Sequence, residues 1–259
     1  MSDGQPYNAA FYSDAVQGSL ATARAVLPLL FDGWRPGSLV DIGCGLGAWC
    51  ATASELGVAN CAGLDGAYVD PASLLIPREA FTAHDLEVTL PVHLEADMAI
   101  CVEVAEHLSA GRAEGIVADL CRIAPIVLFS GAVPYQGGSG HVNENWPEYW
   151  AALFAKSGFV PFDCIRDRIW GDQRLPWWYR QNLLVFARPH MARIVPALGA
   201  PAEPSALSRI HPELFVFSVH RRRLEAARPL GEDVGYYRQA AAGGGYPIGY
   251  GTEFNIVFE

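Results

Sequence analysis

The chain has no pair of cysteines at metal or redox spacing, no excess of basic residues and no long apolar run, and each absence removes a class of function. Its six cysteines, Cys44, Cys50, Cys61, Cys101, Cys121 and Cys164, contain no C-x-x-C, and several fall within expected strands or helices. They read as small core residues of a reducing compartment rather than as a disulfide framework. Lysine and arginine number 18 against 28 aspartates and glutamates, a formal net charge of −10. That balance argues against a nucleic-acid surface, which needs a concentrated basic field. The one basic run, Arg221-Arg222-Arg223, reads as a solvated face. No apolar stretch approaches the ~20 residues of a membrane span. Residues 1–6 are polar, with no apolar leader core, so a cytoplasmic protein without a membrane partner is expected. Internal repeats are absent as well.

What is present is a chain of 259 residues, 51% hydrophobic, enough to build one α/β domain of ordinary size plus an appendage. Residues 38–50, Ser-Leu-Val-Asp-Ile-Gly-Cys-Gly-Leu-Gly-Ala-Trp-Cys, organise it. An apolar strand (Leu39, Val40, Ile42) meets alternate glycines, Gly43, Gly45 and Gly47, and then a helix-compatible segment. Such a turn lets backbone approach a ligand closely, and the first N–H groups of the helix favour an anionic group. Asp41, just ahead of the turn, is placed to receive a ligand ammonium or hydroxyl.

The rest of the chain alternates strand and helix. A helix is predicted over residues 19–31, preceded by Tyr7, Phe11 and Tyr12. A second strand, residues 60–64, delivers Asp65 about twenty positions after Gly45, where a carboxylate can accept from both ribose hydroxyls of an adenosine ligand. Tyr68 is placed to stack near the adenine. A third strand, 80–83, leads into His84-Asp85-Leu86, and a fourth, nearly all apolar, runs from Asp97 into Glu103-Val-Ala-Glu-His-Leu. A helix over 112–121, a fifth strand over 125–130, a glycine-rich loop over 131–145 and a helix over 146–156 follow. Strands over 159–166 and 182–187, joined by an aromatic loop, complete a parallel sheet with one antiparallel strand at its edge. Beyond 189 the pattern gives a proline-rich linker, a strand over 214–219 with a basic turn, a flexible stretch over 240–245 and a terminal strand over 254–258.

The octapeptide Val-Asp-Ile-Gly-Cys-Gly-Leu-Gly resembles motif I of class I S-adenosylmethionine (SAM) dependent methyltransferases. The resemblance extends over about residues 7–188 and is specific also at Gly-Leu-Asp-Gly and Glu-Val-Ala-Glu-His-Leu. With His-Val-Asn-Glu-Asn-Trp and Trp-Trp-Tyr-Arg-Gln-Asn, the chain is similar to bacterial methyltransferases of glycan and natural-product tailoring. This implies a Rossmann-like methyltransferase domain over 1–188, with a seven-stranded, mostly parallel sheet and an N-terminal lid region over 1–35, and an extension of unassigned role over 189–259. It also implies SAM contacts from Tyr12, Ser19, Asp41, Gly43, Cys44, Gly45, Gly47, Trp49, Asp65, Gly66, Tyr68, His84, Asp85, Leu86, Val102 and Glu103.

Methyl transfer from a sulfonium is an in-line displacement, so alignment supplies much of the catalysis. A hydroxyl acceptor must also lose its proton to a base or to a metal-bound environment. His141, His107 and Glu103 are the candidates. Glu103, Glu106 and His107 stand at i, i+3 and i+4, so a helix starting at Glu103 would put them on one face. With His141 they form a mixed O/N set suited to Mg, Mn, Fe or Zn. A Glu-x-x-Glu-His with a distant His holds a metal in small-RNA terminal 2′-O-methyltransferases, and ubiquinone-pathway O-methyltransferases show a related pattern. The resemblance thus implies a divalent ion on adjacent hydroxyls, as in a sugar diol. Acids in a first helical turn are also favoured by the helix dipole alone. Trp178, Tyr179, Arg180 and Asn143 are candidate acceptor contacts. The expected function is methylation of a hydroxyl on a sugar or small natural product, by a monomer or homodimer. The alternatives are N- or C-methylation of a small molecule and a non-catalytic SAM-binding protein. A nicotinamide oxidoreductase would need a further phosphate-facing glycine where Ala48 and Trp49 stand, and an RNA acceptor is disfavoured by the net charge.

Overall fold

Short apolar runs punctuated by glycine fix the strands. In the computed structural model, which describes residues 9–226 and the side chains of residues 16–220, seven strands form one sheet. In chain order the elements are α1 (Ala9–Leu30), β1 (Ser38–Ile42), α2 (Ala48–Glu55), β2 (Asn60–Asp65), β3 (Phe81–Ala83), β4 (Met98–Cys101), α3 (Ala113–Ile123), β5 (Ile126–Phe129), α4 (Pro147–Lys156), β6 (Val160–Phe162), α5 (Arg166–Ile169), α6 (Trp177–Asn182), β7 (Leu184–Ala187) and α7 (Pro212–Ala226). The strand order is β3-β2-β1-β4-β5-β7-β6. The first five strands in that row pair in parallel, while β7 runs antiparallel to both β5 and β6. The antiparallel pairing thus occupies the last positions of the sheet, as the sequence pattern implies. Rossmann-like α/β architecture is the result.

The pleat sorts side chains into two layers. Leu39, Met98, Ile100, Ile126, Leu128 and Val185 face α1 and α2, and Val40, Ile42, Ala99, Cys101, Val127, Phe129 and Phe186 face α3 and α4. In the second layer Phe154 stacks on Phe186 at 4.0 Å between ring centroids, and Phe129 packs against both and against Trp150. Residues beyond 188 join these layers: Met191, Val195 and Leu198 pack with the α1 side, and Leu207 with the other.

Several boundaries differ from the sequence reading. The first helix starts at Ala9, ten residues before its predicted start. The sixth strand stops at Phe162, because the fully buried Arg166 bonds Asp163 and the carbonyls of Gln181 and Leu207 and opens α5 instead. Half of the aromatic loop is the helix α6. The predicted strand over 214–219 is a correction: that segment belongs to α7. Its Phe and Val residues carry strand propensity, but Pro212 opens a helix and His211 Nδ1 accepts the Glu213 N–H at 3.2 Å, satisfying an end that no sheet edge is there to pair. Tyr7, the expected loop over 240–245 and the strand over 254–258 lie outside the described residues. Among the described residues no helix is long and apolar enough to cross a membrane.

Truncating Phe186 to Ala is expected to destabilise the fold by about 3–5 kcal/mol through lost burial and an unfilled cavity. Guanidinium unfolding measures it, and a loss below about 1 kcal/mol would mean that the aromatic layer is loosely packed.

Candidate active site

The carboxyl ends of the parallel strands open on one side of the sheet, and the glycine turn lies there. Gly43, Gly45 and Gly47 have φ of 78°, 54° and 86°, a region that side chains other than glycine adopt at a cost. Two of the three matter for different reasons. A Cβ at Gly43 would stand 2.3 Å from Val104 Cγ2, whereas a Cβ at Gly45 would meet nothing within 4 Å. Gly43 is therefore a packing requirement, and Gly45 faces open space. Two bonds hold the turn to β2, from the N–H groups of Gly43 and Cys44 to the Leu64 carbonyl at 2.8 and 3.1 Å. Asp65 supplies the third tie: its Oδ2 accepts the Gly45 N–H at 2.7 Å, and its Oδ1 accepts the Gly66 N–H at 2.6 Å and the Tyr68 hydroxyl.

Asp41 lies beneath the turn, 2% exposed, and its Oδ2 has no hydrogen-bond partner. Burial, reinforced by the charge of Asp65, pushes its carboxyl up to about 8. Cys44 and Trp49 are buried as well, and burial drives the Cys44 thiol upward, so it does not act as a thiolate. Ser19 Oγ meets the Tyr179 hydroxyl at 2.9 Å, joining α1 to α6. At the end of β3, the His84 N–H donates to the Asp65 carbonyl at 2.8 Å, His84 Nε2 is buried without a partner, Asp85 is exposed and caps its own turn at the Glu87 N–H, and Leu86 is buried. Val102 packs into the α1 layer. The Tyr12 side chain lies outside the described residues.

At the end of β4 the structure corrects the expected helix. Glu103 has φ of 56°, and only a short 3-10 turn, Ala105–His107, follows. The chain bends because the Glu103 N–H bonds Ser130 Oγ at 2.8 Å, which breaks the helical start. Glu103 and Glu106 consequently have different surroundings. Glu103 Oε1 accepts from Ser130 Oγ at 2.8 Å and Asn182 Nδ2 at 3.1 Å, and its Oε2 accepts from Gln136 Nε2 at 3.3 Å. Glu106 is fully buried, and neither carboxyl oxygen makes a well-formed hydrogen bond. Burial and the neighbouring Glu103 charge push it well above the carboxylate range, against a weaker opposing pull from the backbone at Glu106 and Ala132.

Glu106, His107 and His141 each offer a ligand-type atom, and these atoms lie within 4.8 Å of one another. Three of the four proposed metal-binding side chains thus come together, and Glu103 is turned to its own donors. The rings of His107 and His141 meet edge to face at 4.8 Å between centroids. Burial, with the His141 imidazole nearby, lowers His107 below its usual range, so its ring is neutral at pH 7. Asn143 is buried, bonded to the Ala105 carbonyl and to Asn145. Arg180 is bound away from solvent by Glu213 at 2.6 Å, the Trp170 carbonyl at 3.0 Å and His211 at 3.2 Å, and Tyr179 is also buried, so α6 offers the half-buried Trp177 and Trp178 as its partly open aromatics. Ser130 and Gln136 carry site contacts that no sequence motif marks, and Asn182 and Glu144, the partner of His141, lie within quoted motifs without having been singled out as site residues.

No protein-family model matches the chain, and no curated protein matches it in sequence. Solved structures match it in fold. The magnesium protoporphyrin IX methyltransferase (ChlM) of Synechocystis PCC 6803, with bound S-adenosylhomocysteine (SAH), superposes with a TM-score of 0.52 at 20% identity, over 72% of this chain and 90% of that one. The sugar N-methyltransferase KedS8 of Streptoalloteichus sp ATCC 53650 gives 0.52 at 15% identity, over 73% and 95%. Human N-acetylserotonin methyltransferase, in complex with SAM, gives 0.49 at 16% identity, and this chain spans 55% of its length. At these identities the likeness is one of fold.

Asp41 sets a pH dependence. Its folded value of about 8 lies above the ordinary 3.8, so the folded state keeps a proton that the unfolded state releases. Its contribution to stability is therefore lost as pH rises from about 4 to about 8. Asp41→Asn is expected to flatten the fall in unfolding free energy across that window, and denaturant melts of both proteins at pH 5 and 8 measure the difference. Parallel slopes would show that Asp41 is not the titrating group.

Proposed function

We propose that the protein is a SAM-dependent methyltransferase acting on a hydroxyl of a sugar or small natural product. One observation carries the reading: the glycine turn is open at Gly45, whose N–H Asp65 holds, and the strand leading into it carries the unpartnered buried oxygen of Asp41. An ammonium, a carboxylate and a ribose suit those three features. The turn residues Gly43, Cys44, Gly45 and Gly47 would hold the methionine end, with Asp41 beneath, Asp65 would take the ribose, and the segment from His84 to Leu86 would border the adenine. When bound, SAM supplies a methyl group on a positively charged sulfur. Ser19, Trp49, Val102 and Trp178 wall the site in this reading and limit its water.

The fold neighbours act on a sugar nitrogen and on a magnesium porphyrin, so the fold is silent about the acceptor. What favours a hydroxyl is the group of Glu106, His107 and His141, which can hold or remove a proton. The same group fits a divalent ion, since Glu106 has two unpartnered oxygens and both imidazoles can ligate. Such an ion would act as a Lewis acid toward the acceptor hydroxyl. Glu103, already held by three donors, would serve as a fixed carboxylate beside it.

Thermal stability measured with SAM, with SAH and with NAD tests the ligand. Stabilisation by SAM and SAH is expected, with binding at least tenfold weaker in Asp65→Ala, and a shift with NAD alone would overturn the reading. For the ion, calorimetric titration with Mn²⁺ and Zn²⁺ should show one site in the native protein and at least tenfold weaker binding in Glu106→Ala. Equal binding in both proteins, together with turnover indifferent to a chelator, would remove the metal.

A further inference from the structure

The loop over residues 131–145 is wound around one carboxylate. Glu144 Oε2 accepts the Tyr135 N–H at 2.8 Å, and its Oε1 accepts the Gly137 N–H at 2.6 Å. The same Oε1 lies 3.0 Å from His141 Nδ1. Left-handed φ values at Tyr135 (70°), Gly137 (72°) and Gly140 (76°) curl the backbone so that its N–H groups reach that side chain. A carboxylate offers lone pairs and no hydrogen, so the hydrogen in the contact with His141 sits on Nδ1. In a neutral imidazole the lone pair then falls on Nε2. Gly138 guards that edge: a Cβ there would stand 2.2 Å from Nε2. His141 itself is 11% exposed and meets the His107 ring edge to face, so it has little freedom to turn over.

We propose that Glu144 is a positioning residue that fixes His141 as the Nδ1–H tautomer, so that the lone pair for an acceptor proton or an ion falls on Nε2, against which only a glycine at position 138 fits. The use made of Nε2 rests on the methyltransferase reading; the tautomer does not. A side chain that merely stapled the loop would leave the imidazole free to choose its tautomer.

The test is a two-bond proton–nitrogen correlation spectrum of the full-length protein labelled with ¹⁵N-histidine, recorded at pH 8, with His141→Gln identifying the resonances. The native protein is expected to show His141 protonated at Nδ1 and bare at Nε2. In Glu144→Ala no carboxylate is left to accept from Nδ1, so the Nδ1–H pattern should give way to Nε2–H while SAH affinity, measured by calorimetry, stays within about twofold. A native His141 carrying its proton on Nε2, or an Nδ1–H pattern that survives unchanged in Glu144→Ala, overturns the proposal. Because the native spectrum alone reads the tautomer, a variant that fails to fold does not rescue it. A native protein that binds no SAH overturns the methyltransferase reading instead, on a separate measurement.

Discussion

The bond from the Gly45 N–H to Asp65 holds the open end of this sheet in shape. Three consecutive odd-numbered glycines in left-handed conformation would be a costly and loose piece of chain without it, since glycine surrenders more freedom on ordering than any other residue. Asp65 offsets that cost by spanning two strand ends: one oxygen takes the turn after β1, the other takes the turn after β2 and the Tyr68 hydroxyl. A carboxylate with this many donors is well solvated by protein. Asp41, on the neighbouring strand and with one oxygen unanswered, bears the contrast, and burial raises its proton affinity.

The same opposition recurs at the end of β4. Glu103 and Glu106 are three residues apart, yet one accepts from three side chains and the other is buried with no well-formed bond. The donors to Glu103 come from the end of β5, the following loop and the last residue of α6. That convergence places the strained φ of Glu103 in context: the backbone bends there because Ser130 grips both its N–H and its carboxylate. Twice, then, the sheet carries a paired carboxylate beside an unpaired one, and both unpaired groups lie where the strand ends open.

Much of this fold was legible in the sequence for local reasons. Apolar runs such as residues 98–101 and 126–129 are buried on both faces and leave little choice of structure, and glycines such as Gly47 and Gly158 mark a helix start and a helix end by their positive φ. The glycine turn and Asp65 were legible because their partnership follows from the strand–turn–helix unit itself. What escaped reading was set by distant partners. Nothing around Leu214 announces a helix except Pro212, and the cap that settles it is a histidine ring. Helical spacing at Glu103, Glu106 and His107 was real in the sequence but was overridden by Ser130, 27 residues further on. Arg180 read as a polar fork for a ligand, and its fork is filled by Glu213, the Trp170 carbonyl and His211. Gln136 belongs to no motif, Asn182 only closes one, and both gain their meaning when β7 folds back beside β5.

The arrangement around Arg180 bears on where this chain can be divided. Its guanidinium is 3% exposed, and Glu213, from the start of α7, is the acid that neutralises it. Removing one member of a buried ion pair costs about 3–5 kcal/mol, because the remaining charge is left without water or partner. Met191, Val195 and Leu198 would leave the α1 layer in the same cut. A cut near residue 189 would therefore strip the Arg180 guanidinium of its acid and the α1 layer of three apolar side chains at once.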